Sequence, residues 1–225
     1  MDHLFLSNTL LFRGISPGEV KTMLTCLNAE TRQYPRGAAI YHVGDVISSL
    51  GLVLSGSVSI ENDDVWGNKS ILDHAQPGQV FAETYACVPG EPLMISVVAA
   101  EPCEILFLDV GRMLRVCSNS CGFHNRLIRN LLTIASQKNL NLSRRIFHTS
   151  SKSIRGRLLS YLSFQARQHG SRDFIIPFNR QQLADYLSVD RSALSNELSK
   201  MQREGLLRFD RNHFCLTGID PEDVF

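Results

Sequence analysis

Late in the chain, the alternation of apolar and polar residues predicts two short helices joined by a tight turn. The first begins at Asn179, which stands three residues before Gln182 in the spacing of a capping box. The second covers residues 191–204, with Asp190 as its N-cap and Gly205 after its last turn. The predicted buried residues are Leu183, Ala184 and Leu187 in the first helix and Leu194, Leu198 and Met201 in the second.

The opposite face of the second helix carries mostly short, polar side chains. It carries Arg191, Ser192, Ser195, Asn196 and Ser199. Side chains of this size allow a helix backbone to enter the major groove of double-stranded DNA, while Arg191 reaches phosphates or base edges. The geometry predicts a helix-turn-helix, with Arg180 at the start of its first helix as a further DNA contact. Two amphipathic helices with a solvated outer face give the same spacing, so that interpretation stays open.

A β-hairpin is predicted directly after these helices. Residues 206–209 and 213–216 have strand-like patterns on either side of a polar turn at residues 210–212, which indicates the wing of a winged helix. Charge agrees, because residues 144–225 hold 13 Lys and Arg against 9 Asp and Glu, whereas residues 1–143 hold 10 against 13. DNA phosphates are therefore expected at the basic part of the chain.

Short strands dominate the first hundred residues. A helix precedes them, since Ser16, Pro17 and Glu19 supply an N-cap, a first-turn proline and a capping-box carboxylate. Strand-like segments follow, separated by turns that contain Gly and Pro, at residues 39–41, 50–54, 58–60, 70–72, 95–98 and 105–107. This pattern predicts an antiparallel, jelly-roll-like β-roll, which makes the whole chain α+β in class.

One long helix is predicted between these two parts, at residues 121–148. Its apolar face is too wide for a single contact, so one part can cover the β-roll and another can pair with the same helix of a second chain. The residues predicted for this dimer interface are Leu127, Leu131, Ala135 and Leu142. Residues 148–151 then indicate a hinge, with Ser151 capping the next helix.

Composition narrows the class of protein further. The 225 residues are 44% hydrophobic and 20% charged, which suits one large or two ordinary globular domains. No apolar run approaches the roughly 18–20 residues of a membrane span, and the first residues lack the pattern of a secretory signal. The six cysteines are scattered, as reduced thiols are. These observations predict a cytoplasmic protein with no membrane partner.

Three segments resemble the Crp–Fnr family of bacterial transcription regulators. They are Gly44-Asp45 followed by residues 52–58 (LVLSGSV), then residues 77–83 (PGQVFAE), and the helix-turn-helix of residues 180–207. The resemblance extends over nearly the whole chain. It implies a homodimer that binds an inverted-repeat operator in double-stranded DNA, a small-molecule effector, and RNA polymerase as a further partner.

The resemblance also divides the chain. It implies a β-roll sensor domain at residues 1–110, a dimerisation helix with a hinge at residues 111–148, and a winged helix-turn-helix domain at residues 149–225.

The ligand cassette departs from that of cyclic-nucleotide binders in the family. Their Gly-Glu pair opens a short helix and the Glu holds a ribose hydroxyl, while an Arg-Ser or Arg-Thr pair about ten residues later neutralises the phosphate. Here Glu83 is present, but Ala82 replaces the Gly, and Leu93 and Met94 stand at the Arg and Ser positions. With Thr84, these are the candidate effector-pocket residues. A phosphate buried there would lack a counter-charge, so the predicted effector is not a cyclic nucleotide.

Other effector chemistries stay open, and the cofactor is unknown. Glu83 is as well explained by a hydrogen bond to its own loop as by a ligand contact. Only Cys26 lies near the start of the chain, where iron–sulfur members of the family place a cysteine set, and Cys117 and Cys121 are candidates for a redox or metal role. Candidate haem ligands are His42, His74 and His124. A small organic effector, or none, is also compatible with the sequence.

Two alternative functions are weighed beside the regulator. One is a cupin-like metal-dependent enzyme, and the other is a ligand-binding protein whose helix-turn-helix contacts protein. The chain has no His-x-His pair, no Gly-x-Ser-x-Gly elbow and no phosphate loop ending in Gly-Lys-Ser or Gly-Lys-Thr. No catalytic or metal-binding residue is therefore predicted, and the protein is not expected to be an enzyme.

Overall fold

A computed structural model of the chain describes residues 1–63, 69–115 and 122–217. The chain forms two compact units, Met1–Gln137 and Lys138–Phe225. Cys117 and Cys121 lie outside the described residues. Within the described ranges, no helix has the length and apolar content that crossing a membrane requires, and no three His, Cys, Asp or Glu side chains are grouped to hold a metal ion.

The first unit contains two four-stranded antiparallel sheets with helices around them. Its helices are α1 (His3–Ser7), α2 (Pro17–Cys26), α3 (Glu83–Ala86), α4 (Val110–Leu114) and the first part of α5 (Gly122–Thr149). Its strands are β1 (Glu30–Tyr34), β2 (Ala39–Tyr41), β3 (Ser49–Ser55), β4 (Val58–Asp63), β5 (Lys69–Ala75), β6 (Val80–Phe81), β7 (Ser96–Ala99) and β8 (Cys103–Asp109). The strand orders are β1-β8-β3-β6 and β2-β7-β4-β5, which confirms the predicted antiparallel β-roll.

The central strands β3 and β8 of the sheet β1-β8-β3-β6 are buried on both faces, because their successive residues belong to two different apolar clusters. Along β8, Ile105 and Phe107 face the interior of the β-roll, while Leu106 and Leu108 pack in the cluster formed with α1, α2, α4 and α5. Side chains alternate across a strand with a period of two, so a continuous apolar run suits this doubly buried position.

Aromatic rings fill part of the interior of the β-roll. Phe81 is fully buried and lies over Gly51, where a Cβ atom would come within 2.2 Å of the Phe81 ring. Tyr41 packs edge-on against Phe81 and Phe107, with ring centroids 6.3 and 5.9 Å apart. Burial raises the pKa of Tyr41 to about 12, and its hydroxyl donates a hydrogen bond to the carbonyl of Ser49 at 2.9 Å.

The described part of the second unit consists of helices and a small three-stranded sheet. After the last part of α5 it contains α6 (Ile154–His169), β9 (Asp173–Ile175), α7 (Arg180–Leu187), α8 (Arg191–Arg203), β10 (Leu207–Asp210) and β11 (His213–Leu216). The strands pair antiparallel in the order β10-β11-β9. Helices and sheet enclose one apolar cluster, in which every residue predicted to be buried in α7 and α8 is buried. This confirms the predicted winged helix-turn-helix.

The predicted capping residues of α2, α7 and α8 are confirmed. Ser16 and Glu19 form a reciprocal capping box at α2, and Asn179 and Gln182 form another at α7. Asp190 accepts a hydrogen bond from the backbone N–H of Ala193 at 2.8 Å. Each cap satisfies backbone donors that the first helical turn leaves without partners.

The hinge prediction was wrong in two details. Helix α5 continues through His148 to Thr149, and the cap of α6 is Ser153 rather than Ser151. Ser153 accepts from the backbone N–H of Gly156 at 3.0 Å. His148 is buried because its ring packs edge-on against Tyr161, and this burial lowers the pKa of His148.

Candidate nucleic-acid interface

The turn between α7 and α8 fixes the orientation of α8. Ser188 ends α7 in a left-handed conformation, with φ of 54°, and its backbone N–H still bonds to carbonyls of the last helical turn. Asp190 then begins α8 two residues later. On the inner face of α8, Leu194, Leu198 and Met201 are fully buried, so the opposite face is the one that reaches solvent.

Two arginines from outside the motif hold the C-terminal end of α7. The guanidinium of Arg157 donates to the carbonyls of Leu187 at 3.0 Å and Ser188 at 2.9 Å. Arg145, on α5, donates to the carbonyls of Tyr186 at 3.2 Å and Asp185 at 3.1 Å. A helix leaves its last carbonyls without partners and carries partial negative charge at that end, so both contacts stabilise the turn. Local sequence spacing gives no signal for either of them.

The outer face of α8 carries the predicted polar residues. Arg191, Ser192, Asn196 and Ser199 are exposed, and Ser195 is half-buried. Lys200 and Arg203 continue the exposed, positively charged surface toward the end of the helix. The structure therefore brings five of the six predicted DNA-binding residues onto one helix face.

The three serines of this face are hydrogen-bonded within α8 and its cap. Ser195 donates to the carbonyl of Arg191, and Ser199 donates to the carbonyl of Ser195, both at 2.9 Å. Ser192 donates to the carboxylate of Asp190, and this hydrogen bond, together with that from the backbone N–H of Ala193, lowers the pKa of Asp190. Each of the three hydroxyls therefore has a hydrogen-bond acceptor within the protein.

Arg180, the sixth predicted residue, lies against the wing. Its guanidinium is 4.9 Å from the centroid of the Phe209 ring and 5.8 Å from that of Phe214, and it donates to the carbonyl of Arg211 at 3.2 Å. Burial lowers the pKa of Arg180. The side chain therefore attaches the start of α7 to the β-hairpin, a contact that the sequence did not reveal.

Arg155 is a residue that the sequence reasoning missed. From α6, its guanidinium donates to the carboxylates of Glu197 at 2.6 Å and Glu204 at 2.7 Å, on and just after α8. These hydrogen bonds raise the pKa of Arg155 and lower that of Glu204. Arg155 thereby compensates two negative charges that would otherwise repel a phosphate backbone. The pairs are 42 and 49 residues apart in sequence, so periodicity cannot show them.

The effector-cassette residues are divided between buried and exposed positions. Ala82 has a φ of 59°, a left-handed conformation that costs an L-residue about 1–2 kcal/mol relative to the ordinary one. Glu83 is buried at the start of α3, and Thr84 is exposed. Leu93 is only 2% exposed, whereas Met94 is 70% exposed. Of these two apolar side chains, only that of Leu93 faces inward.

The predicted dimer-interface residues also divide. Leu127 and Leu131 are buried in the apolar cluster of the first unit, so their side chains are not available to a second chain. Ala135 is half-buried and Leu142 is exposed. The last two belong to a second stripe of α5, which we call the α5 stripe, with residues spaced alternately by four and three: Ile128, Leu132, Ala135, Asn139, Leu142 and Ile146.

Both parts of the chain match known domain families. Residues 31–120 match the cyclic nucleotide-binding domain, and residues 156–223 match the Crp-like helix-turn-helix domain. Among curated proteins, the chain is similar to the cyclic AMP receptor protein of Thermus thermophilus, with 28% identity over 209 residues and 88% of each chain covered.

Solved structures share the fold. The structure of CprK in complex with OCPA has a TM-score of 0.62 at 16% identity, covering 87% of this chain and 90% of that one. The c-di-GMP responsive global regulator CLP of Xanthomonas campestris has a TM-score of 0.55 at 19% identity, covering 91% and 100%. A β-roll of the cyclic-nucleotide-binding type followed by a winged helix-turn-helix defines a transcription regulator. The chain belongs to the Crp–Fnr family of these regulators.

Proposed function

We propose that the protein binds double-stranded DNA as a homodimer at an inverted-repeat operator, and that its effector is not a cyclic nucleotide. The observation that carries the DNA proposal is the outer face of α8. It presents short polar side chains to solvent and has Arg191 at its start. A helix of this kind reads base edges in the major groove, while neighbouring cations contact phosphates. Two copies related by two-fold symmetry would contact half-sites about one helical turn apart.

Selection from random duplexes tests this proposal directly. We expect an inverted repeat to be enriched, and its affinity to fall steeply as salt rises, because phosphate contacts release counterions. Arg191→Ala should weaken binding and reduce the salt dependence, whereas Arg36→Ala, an exposed arginine of the β-roll unit, should change neither. Enrichment of no sequence, or an affinity insensitive to salt, would favour the alternative in which the helix-turn-helix contacts protein.

The α5 stripe supports the homodimer. Spacings of four and three residues keep one face of a helix toward a partner helix, as in a two-stranded coiled coil. Leu132, Leu142 and Ile146 are 65%, 61% and 69% exposed, an unusual amount of apolar surface for one helix face of a single chain. Asn139 is the polar member of the α5 stripe, the kind of residue that fixes register between paired helices.

The cassette supports an effector other than a cyclic nucleotide. A phosphate placed against Leu93 and Met94 would meet no cation from those two positions, and an uncompensated buried charge costs several kcal/mol. The structure of CprK, which has the same fold, is a complex with OCPA rather than with a cyclic nucleotide. The fold is thus compatible with a change of ligand.

Calorimetry with cyclic AMP and cyclic GMP tests this part of the proposal. We expect no saturable heat at millimolar nucleotide, because Leu93 and Met94, at the two predicted phosphate-binding positions, are apolar. The Thermus thermophilus cyclic AMP receptor protein, titrated in the same buffer, is the positive control. Micromolar affinity of either nucleotide for this protein would show that another residue supplies the missing charge.

A further inference from the structure

We propose that Ser192, Ser195 and Ser199 read DNA only as hydrogen-bond acceptors, so that the contacted bases are those with an amino group in the major groove, adenine or cytosine. This inference rests on the proposed DNA-binding function and adds the chemical class of base that the helix selects. It concerns the three serines of the α8 outer face. Their hydroxyl groups donate hydrogen bonds to acceptors within α8 and its N-cap.

The direction of each serine hydrogen bond is fixed by its partner. A carbonyl oxygen and an ionised carboxylate can only accept, so the serine hydroxyl must donate in each case. Ser195 and Ser199 each donate their only hydroxyl proton to the carbonyl four residues earlier in α8, at 2.9 Å. Ser192 donates its hydroxyl proton to the carboxylate of Asp190, which also accepts a hydrogen bond from the backbone N–H of Ala193. Each hydroxyl then presents lone pairs alone to the solvent.

The three serines are close enough in helical angle to face one groove. Ser192 and Ser199 are seven residues apart, two turns of helix, and Ser195 lies between them. In the major groove, adenine N6 and cytosine N4 are donors, whereas guanine and thymine offer only acceptors at the corresponding atoms. An acceptor-only serine therefore gains a hydrogen bond from an amino base and meets an unfavourable pair of acceptors on guanine or thymine.

Base analogues in the selected operator provide the test, and they use the unaltered protein. The contacted positions are first located as those whose preference is lost in Ser192→Ala, Ser195→Ala or Ser199→Ala. At such an adenine, an analogue without the N6 amino group should weaken binding about five- to tenfold, the value of one hydrogen bond. A 7-deaza analogue, which lacks the N7 acceptor but keeps the amino group, should weaken it by no more than about twofold. At a contacted cytosine, removal of the N4 amino group should match the first result.

Testing the same base analogues with the serine-to-alanine variants shows whether a given serine makes the contact. In the variant that lacks the contacting serine, removal of the amino group should no longer matter. Ser7→Ala is the matched control, because Ser7 also donates to a carbonyl of its own helix, at 2.8 Å, but lies in α1. Sensitivity to loss of N7 rather than of the amino group, or selection of guanine or thymine at these positions, would overturn the inference while leaving DNA binding intact. Failure to select any duplex would overturn both.

Discussion

Replacing Leu132 and Leu142 together with glutamate should convert the protein from dimer to monomer. Both side chains belong to the α5 stripe and are more than half exposed, so the variant loses little of the packing within its own chain. In the proposed dimer, the four new carboxylates would lie in a desolvated seam with like charges facing one another. Sedimentation should report the monomer mass, and affinity for the inverted repeat should fall by about a hundredfold or more as bivalent binding is lost.

Leu140→Glu is the matched control for this experiment. Leu140 is 52% exposed on the same helix but lies outside the α5 stripe, so the variant should remain a dimer. Leu131→Glu would be a poor choice, because Leu131 is buried in the first unit and the change would test folding instead. A double variant that sediments as the parent does would show that the protein does not pair through the α5 stripe.

Asn196→Arg should change which base the protein selects. Asn196 is exposed on the outer face of α8, and an arginine in its place would present a guanidinium, the group that pairs with guanine O6 and N7. Asparagine pairs in bidentate fashion with adenine N6 and N7, and such a pair discriminates by about 1–3 kcal/mol. The parent should therefore select adenine, or show a relaxed preference, and the variant should select guanine by about tenfold or more.

Selection from random duplexes measures this change. Lys200→Arg, which places a guanidinium on the exposed end of the same helix, is the control and should leave the base under Asn196 unchanged. If the parent already enriches guanine there and Asn196→Ala enriches it equally, Asn196 does not read a base. Arg191 or Arg180 would then carry the specificity.

Most features that depend on neighbours within a few residues were predictable from the sequence, although the predicted cap Ser151 was wrong because Ser153 caps α6. The capping residues Ser16, Asn179 and Asp190 were all confirmed, because an N-cap acts on backbone groups two or three positions away. The wing was predictable for the same reason, since a polar turn between two short apolar segments suffices to indicate a hairpin.

Features that depend on distant packing were not predictable. Strand β1 was missed because its residues, ETRQY, are mostly exposed and lack the expected alternation. The contacts of Arg155, Arg157 and Arg180 join segments that are about 30–50 residues apart in the chain. Local sequence spacing does not indicate which distant segments pack together. Leu131 looked available for a partner chain because an apolar face cannot show, by itself, which of two neighbours will cover it.

The last turns of α5 are part of the second unit, and their side chains contact α6 and α7. Arg145 closes the end of α7 by hydrogen bonds to two carbonyls, and the buried ring of His148 packs against Tyr161 of α6. A fragment cut at residue 149 would open those carbonyls to solvent and leave a ring-sized void beside Tyr161. The smallest piece of this protein that keeps its DNA-reading helices in their native arrangement therefore begins inside the long helix, near Lys138.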